Sequence, residues 1–98
     1  PKLYDVVVLG QMLWYVMHDM AAVIDNCHKI MRPDGVFVLS QAYLRGEQRY
    51  GRHIADGFEG TLDLLLSFVD KFRIIDARYD DKSKLPHNDG VIVLRRVG

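Results

Sequence analysis

Two short aliphatic runs constrain this chain more than any other feature. Leu3 to Leu9 is apolar except at Asp5, and Val36 to Leu39 repeats the pattern. Neither run alternates apolar with polar residues. A strand on a half-solvated sheet does alternate, because successive side chains point to opposite faces, whereas a strand buried on both faces does not. Both runs are therefore predicted to be central or parallel strands covered on each side. Between them, Met20, Val23, Ile24, Cys27, Ile30 and Met31 recur at helical spacing, with Asp25, Asn26 and Lys29 on the other face. Asp19 stands where an N-cap would. Arg32-Pro33-Asp34-Gly35 ends the helix, with Pro33 and Gly35 suited to positions i+1 and i+3 of a type I turn. Strand, crossover helix and strand make a right-handed βαβ unit with parallel strands.

The rest of the chain repeats the theme and then changes it. Gln41 to Gly60 is rich in glycine and charge, and its length as a connection goes with function or mobility. Thr61 to Phe72 is predicted helical, with Leu62, Leu65, Leu66, Val69 and Phe72 on one stripe. Arg73 to Asp80 reads as a strand, Asp80 to Gly90 as a polar hairpin loop, and Val91 to Val97 as a last strand antiparallel to its predecessor. The fold class is α/β. Parallel strands are followed by an antiparallel C-terminal hairpin, in a single domain over residues 1–98.

Composition narrows the function classes. The 13 basic and 13 acidic residues balance to zero net charge, so there is no basic surplus for nucleic acid or an anionic membrane. Cys27 is the lone cysteine. It excludes an internal disulfide and fits a reducing, cytoplasmic compartment; within the helical stripe it reads as a small buried hydrophobe. His18, His28, His53 and His87 are scattered without metal-ligand spacing, and no metal is expected.

Order and spacing resemble those of class I S-adenosylmethionine-dependent methyltransferases, from the fourth strand onward. That strand and its sequel follow a pattern like "fDlVv-x-x-evLyYv-x-D". Here it is matched by Tyr4-Asp5-Val6-Val7-Val8, then Gln11-Met12-Leu13-Trp14-Tyr15-Val16, then Asp19. "IMRPDGVFVLS", Ile30 to Ser40, is similar to the family's "lLkPgG-lvl" before the fifth strand. The family also closes with an antiparallel sixth and seventh strand. Its G-x-G-x-G turn and ribose-binding carboxylate have no counterpart here, since no two glycines are separated by a single residue. The resemblance thus implies a partial Rossmann-like sheet, the C-terminal half of such an enzyme.

It also implies a site. Gly10, Gln11 and Met12 would line part of an S-adenosylmethionine pocket, Gly10 through close backbone approach and Gln11 through its amide. Tyr15 would orient a small-molecule acceptor, and His18 would act as a base, since an imidazole titrates near neutrality. Tyr43, Arg45, Gln48, Arg49, Tyr50 and His53 would bind an anionic or sugar-like acceptor. With half the cleft absent, the chain alone is expected to be inactive. It would work as a homodimer or beside a chain that supplies the missing half. The alternative is a non-catalytic, self-associating regulatory module on the same half fold.

Overall fold

The computed structural model describes residues 2–44, 48–49, 51–82 and 87–98. The elements are β1 (Tyr4–Gly10), α1 (Leu13–Val16), a 3-10 turn (Met17–Asp19), α2 (Met20–Ile30), β2 (Met31–Leu44), α3 (Gly57–Leu66), β3 (Phe72–Asp80) and β4 (His87–Arg96). They form a four-stranded sheet in the order β1-β2-β4-β3. β1 and β2 are parallel, with Val7 opposite Phe37 and Leu9 opposite Leu39. β4 runs antiparallel to β2 on one side and to β3 on the other. The last strand is thus inserted between β2 and β3, and the parallel pair followed by an antiparallel hairpin is as the sequence reading expected.

Several boundaries differ from the sequence reading. α3 starts at Gly57 and ends at Leu66, so Val69 and Phe72 lie beyond it and Phe72 opens β3. Gly57 and Gly60 hide this helix from propensity arguments. What fixes its first turn is Thr61, whose hydroxyl donates to the Gly57 carbonyl at 2.8 Å. β4 starts at His87, so His87 to Gly90 is strand rather than loop. Arg32–Gly35 forms an irregularity within β2. Tyr4 pairs with Met31, but Val6 already pairs with Val36. Asp34 has φ 62°, where a type I turn needs about −90° at that position, so the turn is not type I. Asp19 occupies the N-cap of α2, but its side chain makes no capping hydrogen bond.

The core is one cluster on one face of the sheet. Phe37, Leu39, Ile92, Leu94 and Phe72 are buried beneath Leu13, Met17, Met20, Ile24 and Leu65 from the helical segments. The registers place Val6, Val8, Val36, Val38, Val91 and Val93 on the other face. There the expectation of two-sided burial is not met. Val6 is 55% exposed and Val8 62%. No helix among the described residues is long and apolar enough to span a membrane.

Candidate functional site

The carboxyl ends of β1 and β2 are locked together by two glutamines. Gln11 follows β1 with φ 58°, a left-handed conformation that is uncommon outside glycine. Its backbone N–H donates to the Ser40 carbonyl at 2.9 Å, and its Oε1 accepts from the Ala42 N–H at 2.9 Å. Gln41 reciprocates from β2: its Oε1 accepts from the Leu13 N–H at 3.1 Å, at the start of α1. Each amide satisfies a backbone donor of the neighbouring segment. Gly10, Gln11 and Met12 all sit exposed at this sheet end.

α1 carries Trp14 over β2 and leaves Tyr15 facing solvent, 78% exposed. From Trp14 a chain of aromatic rings crosses the covered face. The Trp14 and Tyr43 rings meet edge-on at 5.6 Å between centroids, and Tyr43 meets Phe58 at 5.9 Å. Phe58 stacks on Tyr79 at 4.9 Å. Such pairs add about 0.5–1.5 kcal/mol each beyond burial. Gly90 lies beneath them, and a Cβ there would come within 2.5 Å of Phe58 Cδ1 and 2.8 Å of Tyr43 Cε2. Tyr43 is buried and its hydroxyl donates to Thr61 Oγ1 at 2.9 Å. Burial pushes its phenol up to about 12.

His18 and His53 come together, with ring centroids 5.9 Å apart. The reason lies one residue away on one side and two on the other. Met17 is buried, and Gly51, at φ 67°, packs so closely that a Cβ there would fall 1.9 Å from Met17 Sδ. The Gly51 carbonyl then accepts from the N–H groups of Ile54 and Ala55, each at 2.9 Å. That turn carries His53 to His18.

Gln48 has both amide ends engaged. Its Nε2 donates to the Ala55 carbonyl and its Oε1 accepts from the Gly57 N–H, each at 2.8 Å. It fastens the connection to the start of α3. Trp14, Leu44, Gln48 and Arg49 line a mainly apolar cavity of about 140 Å3. A shallower groove of about 520 Å3 runs past Asp56, Phe58, Glu59 and Tyr79. Arg45 and Tyr50 lie outside the described residues. Burial pushes the Cys27 thiol up, away from nucleophilic character. His28 is occupied structurally, with Nε2 2.7 Å from the Val97 carbonyl and its ring edge-on to Phe72. Among the described residues no group of three or more His, Cys, Asp or Glu could hold a metal ion.

Sequence reasoning brought Tyr43, Gln48 and Arg49 forward but gave no site role to Trp14, Leu44, Phe58, Tyr79 or Gln41. A glycine inside a strand marks a close approach by another group, here a pair of rings, but Gly90 follows the polar His87-Asn88-Asp89 and reads as loop, so that signal was hidden.

No protein-family model matches the sequence, and no curated protein matches it. Solved structures do match. The N-methyltransferase NodS from Bradyrhizobium japonicum WM9 aligns over 100% of this chain and 53% of its own, with TM-score 0.71 and 21% identity. NodS in complex with S-adenosyl-L-homocysteine aligns over 99% of this chain and 48% of its own, with TM-score 0.65 and 15% identity. The fold is that of a partial class I methyltransferase. This methyltransferase-like chain spans about half the length of the solved structures it matches.

Proposed function

We propose that this methyltransferase-like chain supplies one wall of an S-adenosylmethionine site together with the pocket for a small acceptor. The observation that carries the reading is the match to about half of NodS over the whole of this chain, combined with the exposed Gly10-Gln11-Met12 sheet end. The residues suit one wall. Nothing on the protein side requires glycine at position 10, because a Cβ would sit at ordinary contact, 3.6 Å from Ser40 Oγ. The missing side chain instead opens the outward approach to the backbone. Gln11 keeps its Oε1 on Ala42, leaving the amide nitrogen for a ligand. When bound, S-adenosylmethionine supplies an electrophilic methyl group on its sulfonium. The chain's own part is proximity and proton handling. Tyr15 presents its hydroxyl to orient the acceptor, and an imidazole nitrogen of His18 or His53 takes the acceptor's proton.

Alone, the chain is inactive, because the backbone donors of a Gly-rich turn and a ribose-binding carboxylate are absent from it. Calorimetry with S-adenosyl-L-homocysteine tests this. The chain by itself should bind weakly or not at all, and addition of a complementing half should restore binding. Low-micromolar binding by the isolated, monomeric chain would overturn the reading. The open valine face supports a second reading, self-association without catalysis. In that case the chain dimerises and no complementing half restores cofactor binding.

A further inference from the structure

Among the described residues, the cavity beside Trp14 is lined by Trp14, Leu44, Gln48 and Arg49 and is chemically one-sided. The Gln48 amide is engaged at both ends with Ala55 and Gly57, so it acts as a wall. Arg49 is exposed, and among the described residues it joins no ion pair. At about 140 Å3, the cavity is close to the roughly 150 Å3 that takes up one benzene molecule in an engineered apolar cavity. A sugar ring would fit by size but would set its hydroxyls against Trp14 and Leu44 with few partners among the described residues, which costs free energy. A flat apolar ring meets no such cost and gains edge or face contact with the indole. The Arg49 guanidinium then favours an anionic substituent and disfavours an ammonium.

We infer that this pocket takes an acceptor with a single aromatic ring and a carboxylate or similar anion, the ring between Trp14 and Leu44 and the anion on Arg49. The inference rests on the methyltransferase reading for the word acceptor, but the binding itself does not. Trp14 is the chain's single tryptophan. Its indole N–H resonance in a 15N-labelled sample of the full chain therefore reports on this pocket directly. The probes are phenylacetate, its neutral amide, phenethylamine and glucuronate, all without cofactor. Phenylacetate should shift the indole signal saturably. The amide should bind about fivefold more weakly, which is about 1 kcal/mol for an exposed charge. Phenethylamine and glucuronate should bind more weakly still. Arg49→Gln changes an exposed side chain, leaves the rest of the spectrum in place, and should abolish the preference for phenylacetate over its amide. Equal binding of phenethylamine, tighter binding of glucuronate, an unchanged preference in Arg49→Gln, or no saturable shift overturns the inference. Phenylacetate binding in a chain that no complementing half brings to bind S-adenosyl-L-homocysteine would sink the methyltransferase reading and leave the pocket standing.

Discussion

Phe37 and Val38 are adjacent in β2, yet Phe37 is fully buried and Val38 is only partly so. The same contrast runs across the sheet. Phe37, Leu39, Ile92 and Leu94 lie under helices; Val6, Val8, Val38 and Val93 face away from them. Both faces are aliphatic. The physics of the sequence asks for burial on both, and this chain's own helices cover one. The matched structures are roughly twice as long as this chain. The comparison teaches that strand composition reports the environment a strand was selected for, whether or not the same segment supplies it.

The largest expected effect separates the faces directly. Phe37→Ala should destabilise by about 3–5 kcal/mol, the range for emptying an aromatic core position. Val8→Ala should cost under about 0.5 kcal/mol in a monomer, as for an exposed site. Urea unfolding monitored by circular dichroism checks both. Equal losses would mean that the open face is covered in solution by a second molecule.

That outcome leads to the next test. Burying one valine is worth about 1.5–3 kcal/mol before ordering costs, so a patch of them can hold a partner. The chain is expected to self-associate at micromolar concentration, or to do so with a complementing half. Val8→Asp places a charge in the patch and should leave a monomer in light scattering coupled to gel filtration. A wild-type monomer that binds no hydrophobic dye would remove the case for a partner on this face.

On the covered face, the ring chain can be probed from beneath. Gly90→Ala drives a methyl group into Phe58 and Tyr43, two side chains held by further rings. Overpacking of this kind costs about 1–3 kcal/mol. Near-ultraviolet circular dichroism should change with it. An unchanged signal and stability would show that the rings have room to move.

Tyr43 gives the same face a pH signature. Its phenol is held up to about 12, against an ordinary value near 10. Between these values the unfolded chain loses the proton while the folded chain keeps it. The neutral form thus stabilises fully below about pH 10, and that stability is lost as pH rises toward 12, at about 1.4 kcal/mol per unit. Comparing wild type with Tyr43→Phe isolates this from other groups. The difference in their unfolding free energies should shrink between pH 10 and 12, and a constant difference would contradict the assignment.

Much of the fold was legible in the residues. β1, α2, the middle of β2 and the antiparallel ending follow from period and punctuation, because each of those signals is local; Gln41 to Leu44, read as connection, continue β2. The beginning of α3 was not legible, since Gly57 and Gly60 argue against a helix that Thr61 and packing then hold. Nor was the start of β4: Asn88 looks like a loop residue, but its amide donates to the Tyr79 hydroxyl across the strands at 3.0 Å. The candidate site divides similarly. The sheet end at Gly10 to Met12 could be placed from sequence. The ring chain from Trp14 to Tyr79 and the His18–His53 approach depend on contacts between distant segments, which no local pattern encodes.

The two glutamines make the finest comparison, because they form the same kind of bond in opposite surroundings. Gln41 is buried and accepts from the Leu13 N–H; Gln11 is exposed and accepts from the Ala42 N–H. Gln41→Leu fills the space but strands the Leu13 donor away from water, a loss of about 1–3 kcal/mol. In Gln11→Ala, water can replace the lost acceptor, so the cost should be at most about 1 kcal/mol. The backbone refines this further. At φ 58° any side chain is strained, and glycine is not. Gln11→Gly should therefore be more stable than Gln11→Ala by about 0.5–1 kcal/mol, offsetting most or all of the lost hydrogen bond. Chemical unfolding of the three variants tests the order, with Gln41→Leu the least stable and Gln11→Gly nearest to wild type. If Gln11→Gly proved as unstable as Gln41→Leu, the Ala42 N–H would have to be shielded from water by something resting on the sheet end, and a second chain covering Gly10 to Met12 would be the first candidate.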